Sequence, residues 1–223
     1  MNLGKPTDGP ISRYINRKIS MPISKFIVNK FGDVSPNKVT ILTTIFGIFA
    51  GLIYLFEEPI IAGICVQIAS IVDGVDGEVA RLLNKQSNFG AFLDSVMDRI
   101  VDITILTCFS IFIWRTYMGP LSQEVLILIM LMAISGSIMV SYSRSRCQSA
   151  LGIDIRNLAG FSLASRDVRL FIIFIGSVVG LYVATLIVLT FLTYIHIAVD
   201  LLLVKNYVNR NEASKQSGPT IRN

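Results

Sequence analysis

The sequence predicts an all-α membrane protein with six transmembrane helices preceded by an amphipathic interfacial helix. Of its 223 residues, 52% are hydrophobic and 16% are charged, whereas a soluble domain carries about 25% charged residues. The mean hydropathy is +0.64, and the apolar residues form long runs. Because a spanning helix needs roughly 20 mostly apolar residues, these runs indicate a polytopic membrane protein.

Residues 1–34 form a basic N-terminal segment that contains a predicted juxtamembrane helix. Within residues 10–30, Ile11, Ile15 and further apolar residues recur at helical spacing among lysines and arginines. This pattern is typical of helices that lie on the membrane surface, and Pro22 should kink the helix. A nucleic-acid-binding arm is the alternative for such a segment, but the membrane context argues against it and we expect no nucleic-acid partner.

Residues 35–205 form the predicted membrane domain. Ser35 is a candidate cap that precedes Pro36 at the first helical position, a favoured place for proline. The last apolar stretch is too long for one crossing, so we expect a break at Gly180. The predicted spans lie at about 38–56, 60–82, 89–114, 122–147, 167–182 and 184–205.

The positions of the basic residues predict the orientation of these spans. Lys and Arg concentrate at both termini and in the loops on the same side, whereas Arg115 is the only one in the opposite loops. Since positive residues stay in the cytoplasm, both termini are predicted to be cytoplasmic in a multi-pass cell-membrane protein. Residues 206–223 are polar and are predicted to be a disordered cytoplasmic tail.

Carboxylates interrupt the second and third predicted spans, where charges are expensive and usually functional. Asp73 and Asp76 lie three residues apart, and Asp94 and Asp98 lie four apart, so each pair shares a helix face. The link from Leu82 to Asn88 is short, which predicts antiparallel neighbouring helices. We therefore expect the two aspartate faces to meet near the cytoplasmic end of the bundle.

Four clustered carboxylates cannot all be ionised in a low dielectric without a cation. Oxygen ligands favour hard ions such as Mg²⁺ or Mn²⁺, and four carboxylates could hold one ion or two. Arg81 follows Gly77 by one turn and can neutralise a phosphate, so the cluster suits phosphoryl transfer. The alternative is structural salt bridging, but only Arg81 and Arg99 are bases near these acids in the sequence.

This spacing resembles the signature of the CDP-alcohol phosphotransferase family over about residues 35–205. The matching pattern is Asp73-x2-Asp76-Gly77-x2-Ala80-Arg81-x8-Gly90-x3-Asp94-x3-Asp98. The resemblance implies a homodimer among membrane lipids, CMP as leaving group and an active site at the cytoplasmic side. It implies a divalent-metal site on Asp73, Asp76, Asp94 and Asp98, with Asp98 also the general base, and we expect this site to hold two ions. It implies that CDP contacts Asn37, Thr40, Asp73, Gly77, Ala80 and Arg81.

A second basic cluster lies between the fourth and fifth predicted spans. Two of its arginines fall in a first helical turn, where backbone amides favour anions. Such a pocket suits a phosphate on the acceptor, and ordinary positive-inside charge is the alternative. The cluster resembles the part of the family that uses inositol phosphate as acceptor. This resemblance implies that the acceptor phosphate contacts Arg144, Arg146, Arg166 and Arg169.

Within the family, the chain most resembles the enzymes that join CDP-inositol to inositol phosphate and make di-myo-inositol phosphate phosphate. The main alternative is a lipid-linked donor, CDP-archaeol or CDP-diacylglycerol, which would place the chain in phospholipid biosynthesis. A cation transporter is an alternative of a different class, but the acids gather at one side of the membrane. The roles of Asp102, Asp200 and His196 stay open at this point.

Overall fold

The computed structural model describes residues 8–159 and 163–216, and over these ranges the chain is helical and contains no β-strand. A short π-helix, Ser12–Asn16, leads directly into the first α-helix. The α-helices are α1 (Arg17–Phe31), α2 (Pro36–Leu52), α3 (Pro59–Val72), α4 (Val75–Leu82), α5 (Asn88–Thr116), α6 (Gln123–Leu151), α7 (Ile155–Ala159), α8 (Arg166–Val179) and α9 (Tyr182–Gln216).

Four helical stretches of the described chain are long and apolar enough to cross a membrane. They are Pro36–Phe56, Pro59–Leu82, Gln123–Leu151 and Tyr182–Glu212. Helix α5 is not among these stretches because it carries several charged residues in its first half. Helix α8 is too short, with 14 residues. The all-helical class is therefore confirmed, while the predicted count of six spans is not.

Two helix boundaries test the sequence predictions directly. The break expected at Gly180 is confirmed, since this residue has φ +80° between the end of α8 and the start of α9. Helix α9 continues through Gln216, into the segment that the sequence predicted as a tail. No glycine or proline follows Gly180 until Gly218, so nothing stops the helix when its apolar pattern fades. Residues 217–223 lie outside the described residues.

The largest apolar core lies near the end of α5 and just after α2. There the Tyr54 ring packs against Phe109 with 5.0 Å between ring centroids. The hydroxyls of Tyr54 and Ser177 are hydrogen-bonded at 2.6 Å, which ties the end of α2 to α8. Close packing and such interhelical hydrogen bonds are what holds helices together in lipid. This end of the bundle is thus a rigid base, and the acidic residues lie toward the other end.

Helix α1 docks against α4 and the start of α2 through a second, smaller apolar cluster. Its buried members are Val39, Val75 and Val79, and Ile23 and Ile27 of α1 pack against them. A helix is therefore present in this segment, while its location at the membrane surface stays a prediction. Its apolar residues are used in part for contact with the helix that carries the acidic motif, a contact that the sequence did not predict.

Candidate active site

Three of the four predicted metal-binding aspartates come together where the end of α3 meets the start of α5. Each of Asp73, Asp94 and Asp98 offers a carboxylate oxygen, and these oxygens lie within 4.8 Å of one another. We call these three residues the acid triad. Within the described part of the chain they are the one group of three or more potential metal ligands. An all-oxygen set of this kind fits a hard divalent cation, which would also relieve the repulsion between the carboxylates.

Asp76, the fourth predicted ligand, is oriented by α2 rather than by the acid triad. The hydroxyl of Thr40 donates a 2.5 Å hydrogen bond to one oxygen of Asp76, and the Gly77 amide donates to the other. The helix is interrupted at Asp73 and Gly74, between α3 and α4. The expected meeting of all four carboxylates is therefore observed for three of them, because Asp76 follows this interruption.

The guanidinium of Arg166 lies directly against the acid triad. Its Nη1 atom is 2.5 Å from Asp73 Oδ2 and 3.1 Å from Asp98 Oδ1. The sequence predicted Arg166 as a ligand of the acceptor phosphate and counted only Arg81 and Arg99 as bases near the acids. That count was too low, because Arg166 comes from α8 and reaches the acids only through the tertiary fold.

Asp102, whose role the sequence left open, binds two arginines of α8. One carboxylate oxygen accepts a 2.8 Å hydrogen bond from Nε of Arg166, and the other accepts a 2.8 Å bond from Nη2 of Arg169. Arg99 Nη2 lies 3.6 Å from the same carboxylate. Arg169 also donates a 2.6 Å hydrogen bond to the Ala164 carbonyl. We call Arg166 and Arg169 the arginine pair.

A cavity of about 970 Å³ opens beside the acid triad, and this volume is in the range of small-molecule sites. Arg146 is exposed and is not among its lining residues. Arg144 does line it, and two residues along a helix point in different directions. Arg156 was not predicted, yet it lines the cavity as well. The charged lining residues include Asp73, Asp76, Asp94, Asp98, Arg17, Arg81, Arg99, Arg144, Arg156, Arg166 and Arg169.

A smaller cavity of about 320 Å³ lies on the other side of the acidic motif. Asp73, the sixth predicted CDP contact, lines the large cavity instead. Asp76 and Asp94 line both cavities. The two spaces therefore meet at the carboxylates. The predicted CDP contacts that line the smaller cavity are Asn37, Thr40, Gly77, Ala80 and Arg81.

Arg81 faces both cavities and has unused hydrogen-bond donors. Its Nε and Nη2 atoms are buried and have no partner among the described residues. A side chain at Gly77 would lie 3.3 Å from Arg81 Nη1, so the glycine leaves room for the guanidinium. A buried donor without a partner is costly. An anionic ligand such as a diphosphate would satisfy these donors.

The N-terminal helix contributes a buried ionic network that the sequence did not predict. Glu78 is fully buried and accepts hydrogen bonds from Arg17 (2.7 Å), Ser20 (2.7 Å) and Ser24 (2.5 Å). Arg17 also donates two 3.0 Å bonds to the Asp8 carboxylate. Burial lowers the pKa of Arg17, but the hydrogen bonds and charges of Asp8 and Glu78 raise it above its usual value. Helix α1 is thereby fastened to α4, which carries Asp76 and Arg81.

A signal for this network was present in the sequence. Asn16, at the end of the π-helix, and Ser20 and Ser24 of α1 recur every four residues and are all buried. Small polar residues at this spacing on a helix mark one face that meets a polar partner. Glu78 was predicted to lie off the helix face that carries Asp73 and Gly77, and it accepts hydrogen bonds from Ser20 and Ser24 of α1.

His196 and Asp200 of α9 form a separate buried pair. His196 Nε2 lies 3.7 Å from Asp200 Oδ1, and the Ser143 hydroxyl lies 3.5 Å from Asp200 Oδ2. Neither residue is among those that line the two cavities. The partner of Asp200, which the sequence did not reveal, is thus the histidine one helical turn earlier together with a serine of α6.

A protein-family model described as CDP-alcohol phosphatidyltransferase matches residues 33–204. The bifunctional IPC transferase and DIPP synthase of Aquifex aeolicus is 39% identical over 202 residues, which cover 88% of this chain and 44% of that protein. The archaetidylinositol phosphate synthase of Pyrococcus horikoshii is 34% identical over 167 residues, which cover 73% of this chain and 80% of that protein. The chain spans less than half the length of the bifunctional relatives it matches.

Solved structures share the fold. The crystal structure of Mycobacterium tuberculosis phosphatidylinositol phosphate synthase with CDP-DAG bound has a TM-score of 0.70 and 22% identity, and the match covers 84% of this chain and 94% of that one. The same enzyme in complex with manganese and citrate has a TM-score of 0.71.

Proposed function

The chain belongs to the CDP-alcohol phosphatidyltransferase family, and from this premise we propose that it transfers the substituted phosphate of a CDP-alcohol to an inositol phosphate and releases CMP. The donor we propose is CDP-inositol, which makes the product di-myo-inositol phosphate phosphate. The observation that carries this proposal is the acid triad at the meeting point of two cavities, one of them lined by arginines. The relatives named as DIPP synthases support the choice of donor.

The smaller cavity is the proposed site of the CDP moiety. Asn37 and Thr40 at the start of α2 and Ala80 of α4 line its wall. Arg81 lines both cavities and has unused donors. Arg81 would therefore bind the diphosphate and orient the phosphorus that is attacked.

The proposed metal ligands are Asp73, Asp94 and Asp98, with Asp76 beside them on the wall of both cavities. Their oxygen atoms suit Mg²⁺ or Mn²⁺, and we propose two ions. Bound ions would neutralise the charge on the phosphate oxygens and on the departing CMP. Thr40 keeps the Asp76 carboxylate in place through its short hydrogen bond.

Asp98 is the proposed general base. The acceptor hydroxyl oxygen forms a bond to the phosphorus that carries the donor alcohol. The bond from that phosphorus to the oxygen of CMP breaks, and the hydroxyl proton passes to the Asp98 carboxylate. Asp98 lies on the wall of the large cavity, so it can reach an acceptor bound there.

The large cavity is the proposed site of the acceptor. Arg144, Arg156 and the arginine pair line it, and guanidinium groups match the geometry of a phosphate. A phosphate would offer these guanidiniums negatively charged oxygen acceptors, which an unphosphorylated alcohol does not carry. The arrangement therefore favours an acceptor that carries its own phosphate.

The position in the membrane is also part of the proposal. We infer six crossings, with both termini and the active site at the cytoplasmic side, and a homodimer as the assembly. The exposed apolar side chains Phe26 and Phe31 of α1, interspersed with lysines, support an interfacial location for this helix.

A lipid-linked donor is the second candidate, and one observation favours it. The large cavity has an apolar flank made by α5 and α6, where exposed side chains could contact acyl chains. This flank suits CDP-archaeol or CDP-diacylglycerol, and the archaetidylinositol phosphate synthase among the relatives is consistent with it. The residues of the flank are Phe92, Val96, Ile100, Ile103, Ile138 and Tyr142.

A cation transporter was the alternative of a different class, and the family match argues against it.

One assay separates these candidates. The purified protein in lipid nanodiscs is given Mg²⁺, inositol phosphate and either CDP-inositol or CDP-archaeol, and CMP is followed by chromatography. We expect CMP release with CDP-inositol that depends on inositol phosphate. Release with the lipid donor alone would establish the second candidate, and absence of release with every donor, CDP-diacylglycerol included, would contradict both.

A further inference from the structure

Asp102 lies one helical turn beyond Asp98 on α5 but does not share its surroundings. Both of its carboxylate oxygens are taken by the arginine pair, at 2.8 Å each. It is not in the acid triad and not among the residues that line the large cavity. The arginine pair does line that cavity. Asp102 thus sits behind the two guanidiniums and faces the cavity through them and, at the longer distance of 3.6 Å, through Arg99.

The energetics of this arrangement depend on Asp102. Arg169 is 4% exposed and Asp102 is also 4% exposed, so the ion pair is removed from solvent. A buried guanidinium needs a counter-ion, and removing one partner of such a pair is strongly unfavourable. The Ala164 carbonyl accepts a second bond from Arg169 but carries no full charge. Asp102 is therefore the group that fixes the position of Arg169.

The same carboxylate sets the direction of Arg166. Its Nε donates to Asp102, while its Nη1 lies against Asp73 and Asp98. The guanidinium is planar, so fixing Nε and Nη1 fixes the plane in which the remaining donors lie. One carboxylate thus sets the relative placement of both arginines beside the reacting groups.

We propose that Asp102 is a positioning residue for the acceptor: it holds the arginine pair so that these two side chains bind the phosphate of a phosphorylated alcohol. This inference rests on the proposed function. It assigns Asp102 no contact with donor, ion or transferred proton. Its effect therefore falls on recognition of the acceptor phosphate rather than on the donor.

The Asp102→Asn variant tests this proposal. We expect the KM for inositol phosphate to rise by roughly ten- to a hundred-fold, the scale seen when a group that orients a ligand-binding side chain is removed. The KM for the CDP-linked donor should stay unchanged. The preference for inositol phosphate over inositol, measured as a ratio of kcat/KM values, should fall by a similar factor.

Two further variants make the result interpretable. Leu106→Ala removes a buried side chain that lines the same small apolar cavity as Asp102 and Arg169, so it perturbs packing without touching an ion pair. It should lower the unfolding temperature and leave the acceptor preference intact. Asp102→Glu is the substitute test if Asp102→Asn does not fold. It keeps the negative charge, so it should fold, but it moves the carboxylate by one methylene group, so it should still raise the acceptor KM.

The outcomes are distinct. An unchanged acceptor KM in both Asp102 variants, or an equal rise for donor and acceptor, would overturn the positioning role. Loss of acceptor preference in Leu106→Ala would overturn it as well, since packing alone would then explain the effect. If the wild-type protein releases no CMP from any donor in the same assay, it is the proposed function that fails.

Discussion

The acid triad and the arginine pair lie in contact, yet they are built in different ways. The triad comes from the end of α3 and the start of α5, which are separated along the chain by the short helix α4 and a short link. The arginine pair comes from α8 and meets α5 only across the folded bundle. A site can be predicted from the sequence when its side chains are close in sequence and regularly spaced. A site made by helices that are distant in sequence is recognised only in the structure.

The largest expected effect comes from removing the proposed general base of the acid triad. Asp98→Asn keeps the shape of the side chain but removes the proposed base, so CMP release should fall by roughly 10²- to 10⁴-fold. The measurement is steady-state CMP release with saturating donor and acceptor. Asp33→Asn is the control, because Asp33 is exposed and pairs only with Lys85 in the described structure. Activity close to that of the control would exclude Asp98 as the base.

The next effect concerns the attachment of α1 to the motif helix. Glu78→Gln leaves the buried Arg17 guanidinium with Asp8 as its remaining charged partner, which should lower the free energy of unfolding by about 3 kcal/mol, the lower end of the cost of breaking a buried ion pair. Thermal unfolding in detergent followed by circular dichroism measures it. The exposed Glu58→Gln variant is the control. Equal stability of the two variants would show that the network does not fasten α1.

A smaller effect tests whether the two clusters compete. Arg166 occupies oxygens of Asp73 and Asp98, so Arg166→Gln should tighten Mn²⁺ binding by about five- to tenfold while weakening acceptor binding. Titration calorimetry with Mn²⁺ alone gives the first quantity without any turnover. Arg146→Gln is the matched control, since Arg146 is exposed and outside the cavity wall. Weaker Mn²⁺ binding in Arg166→Gln would mean that the guanidinium supports the ion instead.

The smallest expected effect is on binding of the CDP-linked donor. Thr40→Val removes the hydroxyl that donates to Asp76, and hydrogen bonds to charged groups contribute about 1.5–3 kcal/mol. Because the Gly77 amide still donates to Asp76, we expect an effect below this range, a rise of about three- to fivefold in the donor KM. Thr104→Val is the control, since its hydroxyl donates to the Ile100 carbonyl of its own helix. An unchanged donor KM would separate Thr40 from the nucleotide site.

The acidic motif shows how far the sequence could lead. The spacing of Asp94 and Asp98 predicted a shared face, and the short link predicted that Asp73 would meet them, as it does. Helix periodicity is a local property, so it is legible in the sequence. The break at Gly180 was predictable for the same reason, because a single residue with positive φ ends one helix.

The remainder depended on contacts between distant residues. Nothing in the sequence around Asp102 indicates that Arg166 and Arg169 bind it, and the bond from Thr40 to Asp76 joins two helices whose phases must both be known. The four-residue spacing of the buried residues Asn16, Ser20 and Ser24 is present in the sequence. The apolar and basic residues around them favoured a membrane-surface helix instead, so this polar face was not predicted. Such pairings follow from how helices are rotated against one another, which no single helix specifies.

The contact of Arg166 with the acid triad has a consequence for how the protein is made and stored. A centre whose negative charges are balanced only by imported ions tends to unfold when those ions are withheld. Here the polypeptide brings its own positive charge to Asp73 and Asp98. We therefore expect the chain to complete its folding before any ion is supplied, and treatment with a chelator should abolish activity without unfolding the protein.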